Sequence, residues 1–260
     1  MENNKIKKMM AEGKKVLGAF FNLASVQAIE TLSMSGLDFI MLDTEHGPYD
    51  VETASSFVIA CEARGLTPII RVKDYQRNSV LKMLDIGGMG VLVPFVKTVD
   101  EVKQAVSYGT YRPIGDRGYG MTRKNCFCLD PITQRAEDYF NWANSETLII
   151  PQCETQEALD CIEEIAALEG VDGVFVGPFD LSVSMGIPTQ FTNERFVAAL
   201  NRVLAACRQN HKFCWILALT PEDATEKLKM GFDGVVAADS TFLCNGARSY
   251  TDKIRETFKA

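Results

Sequence analysis

Asp43 and His46 stand three residues apart in Asp43-Thr-Glu-His46-Gly-Pro48, directly after the apolar run Phe39-Ile-Met-Leu42. Histidine is the side chain whose ordinary pKa suits proton transfer near neutral pH, and a nearby Asp commonly fixes its tautomer and orientation. The pair reads as an acid/base unit where a buried strand ends; a loop histidine beside an acidic helix cap is the plainer alternative. Polar residues also close other apolar runs. Arg71 ends Ile69-Ile-Arg71, Gln152-Cys-Glu154 ends the run from 148, and Gly177-Pro-Phe179-Asp180 follows the run from 174. Singly, each has a bland explanation: an Arg as a salt-bridge partner, a Glu opening a helix, an Asp after Gly-Pro as a helix cap. Together they assemble a chemistry. Glu154 and Asp180, on neighbouring strand ends, repel unless a cation lies between them. Two oxygen ligands are the mark of a Mg²⁺- or Mn²⁺-type site that leaves positions for substrate and water. A 2-oxo acid chelates such an ion, and removing a C3 proton or breaking C3–C4 makes an enolate whose charge the metal and Arg71 share. His46, held by Asp43, then moves the proton of a C4 hydroxyl, and backbone N–H groups near Phe179 and Asp180 grip the carboxylate.

These residues need a frame that brings strand ends to one rim. Apolar runs are expected as strands at 16–21, 39–42, 68–72, 90–93, 148–153, 174–177, 213–218 and 234–237. They are continuous and not alternating, which suits a parallel sheet covered by helices. Helical patterns lie between them at 25–35, 51–64, 76–85, 99–107, 155–168, 193–209, 221–230 and 241–258, with Gly recurring where a helix hands over to a strand. Eight such units in 260 residues point to a single α/β domain over 1–260, a closed (β/α)8 TIM barrel. The functional groups of such barrels gather at the C-terminal ends of the strands. A doubly wound dinucleotide fold is the rival, but no strand is followed by Gly-x-Gly-x-x-Gly. Strand alternation turns Gln152 and Glu154 to the mouth and Cys153 away from it. The irregular stretch 108–146, rich in Gly, Tyr and Arg, is expected to be a lid or an interface, with a helix over 130–144.

Composition excludes several classes. The net charge is −7, against nucleic acid as the main partner. No segment approaches the roughly 20 apolar residues that span a bilayer, so no membrane partner is expected. The basic lead-in 1–15 has no signal-peptide core after it; Ile6, Met9 and Met10 would cover one barrel end. Eight scattered cysteines without a Cys-x-x-Cys pair read as reduced, cytoplasmic packing residues. Cys126-Phe-Cys128, the one close pair, is a weak candidate for redox chemistry or a soft metal.

The motifs Leu42-Asp-Thr-Glu-His-Gly-Pro48, Ile69-Ile-Arg-Val72, Val91-Leu-Val-Pro94, Tyr111-Arg-Pro-Ile-Gly-Asp-Arg-Gly118, Pro151-Gln-Cys-Glu-Thr155 and Gly170-Val-Asp-Gly-Val-Phe-Val-Gly-Pro-Phe-Asp-Leu-Ser182 carry a resemblance. In this order, and over nearly the whole chain, they resemble the class II pyruvate aldolases of the 4-hydroxy-2-oxoheptanedioate aldolase family (HpcH/HpaI type). The resemblance implies a metal-dependent carbon–carbon lyase that cleaves a 4-hydroxy-2-oxo acid reversibly to pyruvate and an aldehyde. It implies a divalent ion (Mg²⁺ or Mn²⁺, with Co²⁺ a further candidate) on Glu154 and Asp180, Arg71 on the pyruvyl oxygen, and Gln152 near substrate or metal-bound water. Phe179 and Asp180 join the substrate contacts, and His46 with Asp43 is the acid/base unit. It also implies a homo-oligomer, often a hexamer, in which the last helix packs on a neighbour. Three features depart from the pattern: the stretch 121–129, Phe179 where several relatives have Ala, and Trp215 where relatives often keep a small residue. They point to a smaller or more aromatic acceptor pocket. A CoA-ester lyase of the citryl/malyl-CoA type, or a barrel that binds a 2-oxo acid without turning it over, are the alternatives.

Overall fold

The structure, a computed structural model, describes residues 1–258; the last two residues of the domain expected over 1–260 lie outside the described residues. Eight strands, β1 Val16–Phe21, β2 Phe39–Asp43, β3 Thr67–Arg71, β4 Gly90–Val93, β5 Leu148–Cys153, β6 Gly173–Val176, β7 Phe213–Leu217 and β8 Gly234–Ala238, pair in parallel in chain order. The ring closes where Val16 of β1 meets Gly234 of β8. This is the (β/α)8 barrel that the apolar runs predict. The helices are α1 Lys5–Ala11, α2 Val26–Leu32, α3 Val51–Ala63, α4 Arg77–Asp85, α5 Val99–Gly109, α6 Ala136–Glu146, α7 Gln156–Asp160, α8 Ile162–Ala167, α9 Pro178–Ser184, α10 Glu194–Gln209, α11 Pro221–Met230 and α12 Asp239–Thr257. Two expected helices are divided. The one over 155–168 breaks at Cys161, whose φ of −113° and ψ of 24° leave the helical region, and the one over 130–144 becomes a 3₁₀ turn, Pro131–Gln134, followed by α6.

Both faces of the strands are covered along most of their length, the exposed Leu17 of β1 aside, which is why the runs are continuously apolar. Ile40, Leu42, Ile70, Val91, Val174 and Ile216 face the helices, while Phe39, Met41, Ile69, Leu92, Ile150 and Phe175 fill the barrel. The alternation at i and i+2 sets which is which. Part of the barrel's order comes from acidic residues just before strands. Asp38, Asp172 and Asp233 each accept the backbone N–H of the preceding neighbour strand, from Leu17 (2.8 Å), Ile149 (2.9 Å) and Cys214 (2.9 Å). The recurring apolar-Asp pair thus satisfies N–H groups near strand starts that the ladder leaves open.

The N-terminal end of the barrel is closed by α1. Ile6 is fully buried in the barrel cluster, Met9 and Met10 pack against it, and Trp215 donates its indole N–H toward Met10 Sδ at 3.3 Å. Trp215 also stacks on Phe39 and Phe213, at 4.8 and 4.7 Å between centroids. Those contacts correct the expectation that Trp215 shapes an acceptor pocket: it is part of the floor, at the end opposite the mouth. The lid expected of 108–146 is corrected in the same way. The helix before it, α5, runs against the strands and delivers the chain to the floor. There Arg117 pairs with Asp85 at the end of α4 (2.9 Å), and Arg123 binds Glu62 near the end of α3 and the Ile86 carbonyl (3.3 Å). Tyr111 stacks on Phe140 at 4.3 Å and meets Tyr139 edge-on. This segment is no lid over its own chain's mouth.

Candidate active site

Asp43 and Arg71 are the last residues of β2 and β3 and are register partners. Alternation from Met41 and Ile69, both inside the barrel, turns both side chains inward. The guanidinium meets the carboxylate in two parallel bonds, Nε to Oδ1 at 2.8 Å and Nη2 to Oδ2 at 2.7 Å. This planar fork is the strongest common arrangement for the pair. Phe20 of β1 supports the guanidinium from one face, its ring centroid 4.5 Å from Cζ. Burial alone would push the Asp43 carboxyl up. The Arg71 guanidinium and the N–H groups of His46 and Glu45 override it and hold the carboxyl below its ordinary value. Tyr49 fixes the same strand end, accepting the Asp43 N–H at 2.7 Å and donating to the Phe21 carbonyl at 2.6 Å. The turn after Asp43 requires Gly47, because a Cβ there would lie 2.0 Å from the Asp43 carbonyl oxygen.

His46 is placed differently from the Asp43–His46 side-chain pair read from the sequence. Asp43 Oδ1 accepts the backbone N–H groups of Glu45 and His46, each at 3.2 Å, besides Arg71 Nε. With Oδ2 also engaged, Asp43 orients Arg71 and the turn, not the imidazole. The His46 side chain is 69% exposed on the rim, and its nearest acid is Glu45, 4.0 Å from Nε2. Glu45 itself turns inward: Arg71 Nη1 lies 3.1 Å from its Oε2 without hydrogen-bond alignment, and burial raises its pKa.

Gln152, one residue before the end of β5, and Glu154, just past that end, both turn to the mouth, while Cys153 packs among the helix-facing residues. Glu154 Oε1 accepts the Phe95 backbone N–H at 2.7 Å, and Oε2 accepts the Gln152 amide. Gln152 Oε1 is buried with no partner. Burial, reinforced by Glu45 and Asp180 and opposed by Phe95 N–H and Arg71, pushes Glu154 up to about 7. Asp180 sits in the first turn of α9, whose N-cap is Gly177; the Asp is not itself the cap. A Cβ at Gly177 would stand 2.8 Å from both Gln152 Nε2 and Glu154 Oε2, so only glycine lets β6 leave the barrel this close to them. Phe179 is 40% exposed, with its ring edge-on to Phe191 at 5.1 Å in an apolar recess toward α10.

The mouth therefore holds four carboxylates, Asp43, Glu45, Glu154 and Asp180, against one guanidinium already committed to Asp43. Such an excess of oxygen donors, with an orphaned amide oxygen beside Glu154, suits a hard divalent cation. Among the described residues no three His, Cys, Asp or Glu side chains form a complete metal cage. Glu154 and Asp180 could supply two ligands to such an ion, with the rest left to substrate and water. Phe20, Tyr49 and the Phe95 N–H were not singled out in the sequence. Only Phe95 carried a signal, by following the strand β4 and Pro94 at the same rim.

Residues 16–245 match the model of the HpcH/HpaI aldolase/citrate lyase family. The chain belongs to this family. It is 34% identical over 262 aligned positions to the 5-keto-4-deoxy-D-glucarate aldolase of Salmonella paratyphi C (strain RKS4594), covering 98% of this chain and 97% of the relative. An HpcH/HpaI aldolase/citrate lyase family protein from Burkholderia cenocepacia J2315 superposes with a TM-score of 0.89 at 30% identity, over 97% of this chain and 99% of the other. A more distant structure shares the fold: protein CitE from Mycobacterium tuberculosis, in complex with magnesium and pyruvate, has a TM-score of 0.56 at 15% identity and covers 88% of this chain and 87% of its own. This HpcH/HpaI chain is an enzyme of the class II aldolase type, a carbon–carbon lyase.

Proposed function

We propose that the enzyme cleaves a 4-hydroxy-2-oxo acid to pyruvate and an aldehyde, reversibly and with a divalent metal ion. The observation that carries this reading is the Asp43–Arg71 fork: a buried cation held rigidly beside an acidic, oxygen-rich pocket. Glu154 and Asp180 would hold Mg²⁺ or Mn²⁺, and the ion when bound supplies Lewis-acid polarisation of the 2-oxo acid. Arg71 uses Nε and Nη2 on Asp43, so Nη1, which lies 3.1 Å from Glu45 Oε2 without being aligned for a hydrogen bond to it, is the edge left to face a substrate oxygen. Its charge persists because Asp43 and the other carboxylates offset the effect of burial. His46, on the rim, accepts the proton of the C4 hydroxyl. The C3–C4 bond breaks, its electron pair becomes the enolate of pyruvate, and the aldehyde leaves. Arg71 donates a hydrogen bond to the enolate oxygen as negative charge grows there, a contribution that typically speeds such steps by ~10²–10³-fold. Reprotonation at C3 gives pyruvate. Gln152 holds Glu154 through its amide and leaves Oε1 toward the mouth for a substrate or water proton. The same reading takes the chain as a cytoplasmic homo-oligomer packed through α12, where Leu243 and Tyr250 stand exposed.

The test needs no knowledge of the aldehyde. Pyruvate incubated with enzyme and Mn²⁺ in deuterated water should lose its methyl protons, and chelator or Arg71→Ala should stop the exchange. Exchange that is absent, or that persists under chelator, would reject the reading.

A further inference from the structure

A second polar cavity lies on the floor of the barrel, at the end opposite the mouth and formed by other residues. Its volume is about 420 Å³, within the range of small-molecule sites. Its polar centre is Lys124, which is 5% exposed. Nζ donates to the Gly88 carbonyl at 3.1 Å and touches Met89 Sδ at 2.8 Å. An ammonium has three protons, so one donor remains. No carboxylate of a described residue comes within ion-pair range of it. The two nearest acids are spent elsewhere: Glu62 binds Arg123, and Glu146 accepts the Asn4 N–H at 2.6 Å. Arg117 and Arg123 add positive field, and burial brings the Lys124 pKa down to about 7.

One side of the wall is apolar and aromatic; the other is polar, with Asn3, Asn4 and Thr67 and with Glu2 and Glu62 paired to Lys5 and Arg123. Trp142 lies 5.6 Å from Nζ over its ring face, and Phe127, Leu66 and Pro68 line the same space. Phe127 is 54% exposed and belongs to Cys126-Phe127-Cys128, three consecutive residues at φ of 50°, 55° and 60°. Left-handed backbone is unfavourable for such residues and persists only when the surroundings impose it. Here it holds an aromatic ring at the cavity instead of letting it turn into the core. A buried cation lacking a counter-ion and an apolar, aromatic wall on one side of it are complementary to one chemistry. We infer that this cavity binds a small organic carboxylate with an aromatic or alkyl body, the carboxylate on Lys124 and the body against Phe127 and Trp142. The site is independent of the reaction at the mouth.

Calorimetric titration with 3-phenylpropanoate, its alcohol 3-phenylpropan-1-ol and its amine analogue 3-phenylpropylammonium tests this. The carboxylate should saturate one site in wild type below about 10 mM, and the ammonium should not bind. The site should persist in Arg71→Ala, which removes the cation of the mouth. Lys124→Met keeps the length of the side chain and removes an unpaired charge, so it should fold. It should weaken the carboxylate by roughly tenfold or more while leaving the alcohol unaffected. Phe127→Ala, at an exposed ring, should weaken both, and Lys124→Arg should keep carboxylate binding. Unchanged carboxylate affinity in Lys124→Met, loss of the site in Arg71→Ala, ammonium binding as tight as carboxylate, or no saturable binding would each overturn the assignment.

Discussion

Lys124 also makes a prediction about stability that does not depend on any ligand. Burial, the largest cause, brings its amine from an ordinary 10.5 down to about 7 in the folded chain. Between those values the unfolded chain binds a proton that the folded chain does not, so stability must rise as pH rises through that window. Below about 7 the cost of keeping Lys124 buried is present in full. The gap of about 3.5 pH units corresponds to a total on the order of 5 kcal/mol at ~1.4 kcal/mol per unit, and the part from pH 7, where Lys124 is half-protonated, to pH 9 corresponds to roughly 2 kcal/mol. Lys124→Met removes this dependence. It also leaves the Gly88 carbonyl without its donor, a loss of about 1–3 kcal/mol that does not vary with pH. Wild type and variant should be compared by urea denaturation at pH 6, 7, 8 and 9, at one protein concentration because association shifts apparent stability. The variant should be the more stable at pH 6, and its advantage should shrink by roughly 2–3 kcal/mol between pH 7 and 9. Taking the difference cancels the other buried groups, such as Glu154, pushed up to about 7, whose stabilisation is lost as pH rises toward that value, and Cys61, pushed up to about 12. A difference that stays constant over pH 6–9 would refute the argument.

The mouth gives three further expectations. Asp43→Asn replaces the charged half of the fork, so kcat for pyruvate release should fall by about 10²-fold with KM for the 2-oxo acid nearly unchanged. Gly177→Ala drives a Cβ to 2.8 Å from Gln152 Nε2 and Glu154 Oε2; Mn²⁺ titration should show about tenfold weaker binding with unaltered circular dichroism. His46→Ala, at an exposed side chain, should slow aldol cleavage by ~10²-fold or more in steady-state assays, while the Kd for pyruvate stays within about twofold.

The barrel is legible because the strands are buried on both sides along most of their length and therefore read as unbroken apolar runs. Asp43, Arg71 and Glu154 were legible for a related reason: a polar residue ending such a run lies at the rim. What failed was inference across the chain. His46 is three positions from Asp43 and invited pairing, yet Arg71, 28 positions away, is its neighbour in register and takes both carboxylate oxygens. Of the two expectations for 108–146, the lid fails, since a segment following a helix in this fold starts at the floor. Trp215 was assigned to the right strand but the wrong height, because periodicity gives the face of a strand residue and not its layer. The Phe95 N–H is marked only by its position after β4 and Pro94 at the rim, because a backbone donor leaves no trace in residue type.

The Asp43–Arg71 fork, braced by the Phe20 ring, bears on stereochemistry. A guanidinium pinned on two of its nitrogens and on one face cannot swivel, so an enolate seated against it shows the same side to an approaching carbonyl at every turnover. Run as a synthesis, the reaction would then always add to that one face of the enolate. The hand of the new alcohol carbon would be decided by how the aldehyde lies across the mouth, a question for Phe179 and the rim loops rather than for the clamp.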